Sequence, residues 1–176
     1  MRKDAIFHDL DNAHREHNYA VTLPNESNSY NAVQKVVPSV LAVHYQWTGV
    51  GEFHCYISIK KRIQGEGKFA GIAALASNPG LKMAIVVDED VNIYDDGDIM
   101  WAIATRLQAD HGVDYIPFVE GDNIDPVAYG EARHEKGNMN TKCIIDATKP
   151  IGVRFPDRIV PPKKELEAFK LEDYLK

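Results

Sequence analysis

The segment Leu81-Lys82-Met83-Ala84-Ile85-Val86-Val87 constrains this chain most. From Met83 onward it offers no polar alternate residue, so a strand here must be covered on both faces, as parallel strands usually are. The flanking segments supply cover. Gly65 to Ser77 carries Phe69, Ile72, Ala73 and Ala76 at helical spacing, and Asn78-Pro79-Gly80 stops that helix. A second helix is expected from Asp96 to Gln108, capped by Asp95 or Asp96, with Asp98 suiting the positive helix start. Its residues Ile99, Met100, Trp101, Ala102, Ile103, Ala104 and Leu107 cover most of its circumference, so it is expected to be buried on most sides.

Two further strands precede this unit. Ser39 to Gln46 is rich in β formers, and Phe53, Cys55, Ile57 and Ile59 alternate with His54, Tyr56 and Ser58. The short, glycine-containing link from Trp47 to Glu52 makes them antiparallel neighbours. Tyr115 to Val119 is expected at a sheet edge, because Pro117 cannot donate to a ladder. A polar loop from Gly121 to Asn140 then leads to a short strand at Cys143-Ile144-Ile145. This rhythm predicts an α/β fold: a single layered domain with a central mixed, partly parallel sheet flanked by helices, plus a C-terminal helical arm. Its expected divisions are an N-terminal arm at 1–31, the α/β core at 32–149, and a proline-rich arm with a C-terminal helix at 150–176.

Composition excludes several functions. The net charge of −6 and the lack of a clustered basic face argue against nucleic acid. No apolar run is long enough for a membrane span, and the start lacks a secretory pattern, so the cytoplasm is the expected compartment. Two cysteines, Cys55 and Cys143, lie in apolar strand patterns and read as structural. His14 and His17 could share one helix face and hold a divalent ion, but the spacing is not that of a known metal motif, and a polar arm is the plainer reading. Asp88-Glu89-Asp90 follows the buried strand, where open α/β sheets bind ligands, although a plain strand end explains it too. Arg106 lies in the apolar helix. It must snorkel out or pair with a carboxylate, and Asp88 and Asp146, both ending strands, are the expected partners. Anion recognition is the functional alternative.

Several blocks resemble, in order, the C-terminal part of the UbiD-type decarboxylases. They are Val37-Pro38-Ser39-Val40, Ile57-Ser58-Ile59-Lys60-Lys61, Ile85 to Ile93, Met100 to Arg106, and Ile145-Asp146-Ala147-Thr148-Lys149-Pro150. The valine-rich strand ending in Asp-x-Asp, followed by Trp-Ala-x-x-Thr-Arg, is the most specific part. The opening Arg2 to His8 resembles the family's junction into this region, and Met1 standing there suits a split gene or a separated domain. The resemblance implies an α/β domain that mediates oligomerisation and closes over the cleft of a prenylated-FMN-dependent decarboxylase, which also uses a divalent metal and potassium. It implies that Ile103, Ala104, Thr105, Arg106, Asp146, Ala147 and Thr148 line that cleft. The family's cofactor-binding domain and catalytic carboxylates precede the matched region, so no catalytic residue and no bound cofactor is expected in the isolated chain. Ile144 stands where the family often has glycine, and 9–29 matches poorly, so the substrate does not carry over.

Three functions follow as expectations. The first is a C-terminal-domain-like subunit or separated domain of a UbiD-like (de)carboxylase, working with a flavin-binding catalytic partner. The second is a stand-alone metal-dependent lyase using His14 and His17. The third is a pure interaction protein. After Pro150, the prolines at 156, 161 and 162 are expected to carry the chain away from its own sheet. A helix from Lys163 with Leu166, Phe169, Leu171, Tyr174 and Leu175 would then dock on a neighbouring subunit, giving a homo-oligomer of exchanged arms.

Overall fold

The computed structural model describes residues 15–122, 125, 127–128, 139–159, 162 and 168–170, the side chains of 15–19 and 21 excepted. Five strands form one mixed sheet: β1 (Val40–Tyr45), β2 (His54–Ile59), β3 (Met83–Asp88), β4 (Val113–Glu120) and β5 (Met139–Ala147). Their order is β1-β2-β3-β5-β4. The three central strands β2, β3 and β5 run parallel, and the two edge strands pair antiparallel to them. The helices are α1 (Arg15–Val36), α2 (Glu66–Ser77), α3 (Asp96–Arg106) and the single turn α4 (Ala109–Gly112).

Strand alternation divides the core into two layers. Cys55, Ile57, Ile59, Ala84, Val86 and Ile144 face α1 and α2, where Val33, Val37, Ala70, Ala74 and Leu75 complete one core. Tyr56, Ile85, Val87 and Ala147 face the other way and pack with Val91, Ile93, Ile99 and Ala102 of α3 and its approach. Helices on both faces explain why β3 tolerates no polar alternate. Gly71 lets α2 lie close to β5, since a Cβ there would sit 2.5 Å from a methyl of Ile144.

Three elements differ from the sequence reading. The helix α1 runs through residue 31, the expected end of a polar arm, and its C-terminal half lies in the core. It lacks an apolar stripe because hydroxyls dock it. Ser29 Oγ lies 2.7 Å from Tyr45 Oη and 2.8 Å from Ser77 Oγ, and Thr22 Oγ1 donates to Gly51 O at 3.0 Å. β5 begins at Met139, inside the expected polar loop, because β4 pairs with it from Val113↔Ile145 to Ile116↔Lys142 and, past a register shift at Pro117-Phe118, again at Val119↔Asn140 and Glu120↔Met139. Lys142 on that strand is buried, yet its Nζ donates to Pro79 O and Leu81 O at 2.6 Å each. Finally, α3 is not buried all round. Only Ile99, Ala102 and Arg106 are buried, and Met100 is 61% exposed, since one face alone meets the sheet.

Candidate functional site

The parallel strands β2, β3 and β5 end on one side of the sheet, and their continuations carry most of the charge there. β2 runs into Lys60-Lys61-Arg62, β3 into Asp88-Glu89-Asp90 and β5 into Thr148-Lys149. The C-terminal residue of α3, Arg106, reaches the same place. Its Nη1 donates to Asp88 Oδ2 at 2.7 Å and to Asp90 Oδ1 at 2.9 Å, and its Nη2 donates to Asp90 Oδ2 at 2.9 Å. The planar guanidinium therefore grips Asp90 in a two-pronged bond and Asp88 in a single one. Lys149 closes the ring: its backbone N–H donates to Asp88 Oδ2 at 2.8 Å, and its Nζ to Asp90 Oδ2 at 2.7 Å. Two carboxylates thus face two cations.

The Arg106 side chain is 1% exposed, and its Nε has no hydrogen-bond partner. Its guanidinium carbon lies 5.1 Å from the Trp101 ring centroid and 5.9 Å from that of Phe155. The expected pairing of Arg106 with Asp88 is present, and Asp90 adds to it. Asp146 is not a partner of Arg106. In register with Val86 it points to the α2 face, where a Cβ on Gly67 would overlap its carboxylate, and it accepts from the N–H and hydroxyl of Thr148 instead. Lys61 Nζ then donates to Thr148 Oγ1 at 2.8 Å and to Lys149 O at 3.0 Å, tying β2 to β5. Ala147 and Thr148 are buried, Ile103 is half-buried against the α3 core, and Ala104 and Thr105 are exposed. Thr105 Oγ1 donates back to Trp101 O at 2.8 Å.

The two acids titrate in opposite directions. Burial pushes Asp88 up, and the charge of Asp90 adds to this, outweighing the Lys149 N–H and the Arg106 charge. Burial also acts against Asp90, but the hydrogen bonds from Arg106 and Lys149 prevail and hold it at about 2. A depressed folded pKa contributes stability above the ordinary carboxylate value, and that contribution is lost as pH falls through about 2. Asp88, with its raised value, offsets part of this in the range just above its ordinary pKa. Asp90→Asn is therefore expected to flatten the acid limb of a melting-temperature profile below about pH 4. An acid limb identical to that of the native protein would exclude a titrating role for Asp90.

Among the described residues, no three His, Cys, Asp or Glu side chains gather as a metal site. His14 lies outside the described residues; His17 falls in α1, with its side chain outside them. The glycine-flanked start of α2 does not fit a flavin phosphate. Glu66 fills it, accepting from the N–H groups of Arg62 and Ile63 and from the Arg62 guanidinium, and Asp146 presses on Gly67. The start of α2 therefore offers no cradle for a flavin phosphate.

The model of the 3-octaprenyl-4-hydroxybenzoate carboxy-lyase C-terminal domain matches residues 18–147. The chain belongs to this family, the C-terminal domain of UbiD-class enzymes. It is 38% identical over 151 residues to anhydromevalonate phosphate decarboxylase of Methanothermobacter thermautotrophicus, a match that covers 86% of this chain and 34% of that enzyme. The UbiD-class enzyme HmfF of Pelotomaculum thermopropionicum, in complex with FMN, superposes with a TM-score of 0.78 at 35% identity, over 92% of this chain and 35% of HmfF. An evolved dimeric form of HmfF in complex with prFMN gives 0.70 at 32% identity, over 92% and 32% of the two chains. The chain thus spans about a third of the length of these relatives. No helix among the described residues is long and apolar enough to cross a membrane.

Proposed function

We propose that this chain is the C-terminal-domain part of a UbiD-class (de)carboxylase and works against a flavin-binding catalytic unit, whether on the same polypeptide or a separate one. In this reading it lends the C-terminal turn of α3, Ile103 to Arg106, and the strand-end residues Asp146 to Thr148 to the cleft. The C-terminal arm of 150–176, whose expected helix from Lys163 lies mostly outside the described residues, holds a homo-oligomer together. The prenylated FMN, a divalent metal and potassium sit in the catalytic unit. The observation that carries the reading is the charge-balanced network of Asp88, Asp90, Arg106 and Lys149 at the carboxyl ends of the parallel strands. That is where open α/β sheets present residues to ligands. Reading the chain as a stand-alone lyase or a pure interaction protein leaves this placement without a use.

The test is reconstitution. The purified chain alone is expected neither to quench flavin fluorescence nor to release carbon dioxide from aromatic or α,β-unsaturated acids. Affinity capture of the tagged chain from its source is expected to bring down a polypeptide carrying prenylated FMN, and the captured complex to decarboxylate. Carbon dioxide release by the pure chain, or capture free of any flavin-bearing polypeptide, would overturn the proposal.

A further inference from the structure

The chain that leaves β5 does not depart from its own domain. Residues 150–154 and 156–159 are exposed, and Phe155 is the one residue of this stretch that is tucked in, against the Arg106 guanidinium. The stretch is clamped at both ends. At its start, Lys149 is bound to Asp88 and Asp90, and Ile151 N donates to Gln64 Oε1 at 3.3 Å. At its far end, Arg158 Nη1 donates to Asp98 Oδ1 at 2.8 Å, and its guanidinium carbon lies 4.4 Å from the Trp101 ring centroid. Two guanidinium groups, Arg106 and Arg158, therefore meet one indole, and Phe155 meets the first of them. Gly152, at a φ of +76°, provides the turn with which the stretch begins.

We propose that residues 150–158 form a latched strap: Arg158, held by Trp101 and Asp98, is the latch, and Phe155 is the cover that keeps Arg106 from solvent. The two ends differ in kind. The Lys149 end shares two acids with a buried arginine, so it opens only when the network itself breaks. The Arg158 end rests on one exposed ion pair and one ring contact, both weak enough to yield locally. Release at that end lifts Phe155 and uncovers Arg106, with its unpartnered Nε, while Asp88 and Asp90 stay in place. The device needs no flavin unit, so it stands or falls separately from the proposed function.

The test uses the full chain and two probes. Phenylglyoxal modification of Arg106, mapped by peptide mass, reads its accessibility against exposed Arg154 as the internal standard. Tryptic cleavage after Arg154 reads the strap. In the native protein Arg106 is expected to react far more slowly than Arg154. In Arg158→Ala, both Arg106 modification and Arg154 cleavage are expected to accelerate about tenfold. Asp98→Asn, which keeps the ring contact, should give a smaller rise in both. Phe155→Ala should speed the modification of Arg106 and keeps the proposal testable if Arg158→Ala fails to fold. Native Arg106 reacting as fast as Arg154 would overturn the strap, as would unchanged Arg106 reactivity in Phe155→Ala and in the latch variants.

Discussion

Arg106→Ala is expected to destabilise the domain by about 3–5 kcal/mol, the usual cost of removing one partner from a buried ion pair. For a domain of this size that is a fall of roughly 6–20 °C in thermal midpoint. The size of the effect follows from what remains behind. Asp88 and Asp90 keep their charges, and of their donors among the described residues only the N–H and Nζ of Lys149 survive. Burial already works against Asp88 with Arg106 in place, so losing that charge drives its proton affinity higher still. Lysine at 106 restores a charge but not the two-pronged grip on Asp90, so Arg106→Lys should fall between native and alanine. Differential scanning calorimetry at neutral pH checks the order. Arg106→Ala melting with the native protein would show that the network carries no stability.

Much of this fold was legible because it rests on apolar periodicity. The parallel strand at Met83–Asp88, the glycine-lined helix α2, the Pro117 edge and the antiparallel pair β1–β2 all announce themselves in residue pattern alone. The helix α1 does not, because Ser29 and Thr22 attach it through hydroxyl bonds, which leave no stripe to read. The site was half legible. A lone arginine in an apolar helix demanded a carboxylate, and Asp88 was within the choice. Choosing between Asp146 and Asp90 required the pleat: Asp146, within β5, is turned to α2, whereas Asp90, two residues past the end of β3, is free to swing toward α3. The spacing Asp88-x-Asp90 was the available signal. The path of the strap is not legible in the sequence because prolines say only that the chain is extended, and the Trp101 and Asp98 contacts that hold it depend on tertiary placement.

The opposite end of β3 sets the second large effect. Lys82, immediately before the strand, lies with its Nζ 3.0 Å from Oδ2 of Asp125 and 3.1 Å from Oδ1. Asp125 is fully buried, and its other donors among the described residues are the Asn140 amide at 3.3 Å and the Val127 N–H at 3.1 Å. Nothing in the sequence singled out this aspartate, since it sits in a polar stretch with no periodicity. Among the described residues, Lys82→Ala leaves this buried carboxylate with two neutral donors and no counter-charge, and about 3–5 kcal/mol of stability should go with it. The remedy separates charge from packing. Lys82→Met combined with Asp125→Leu removes both charges and keeps apolar volume, a swap that is often neutral or stabilising for buried pairs. The double variant is therefore expected to unfold in urea near the native midpoint, far above Lys82→Ala. If the single variant instead unfolds with the native protein, Asp125 keeps its charge without Lys82 and this ion pair carries no stability.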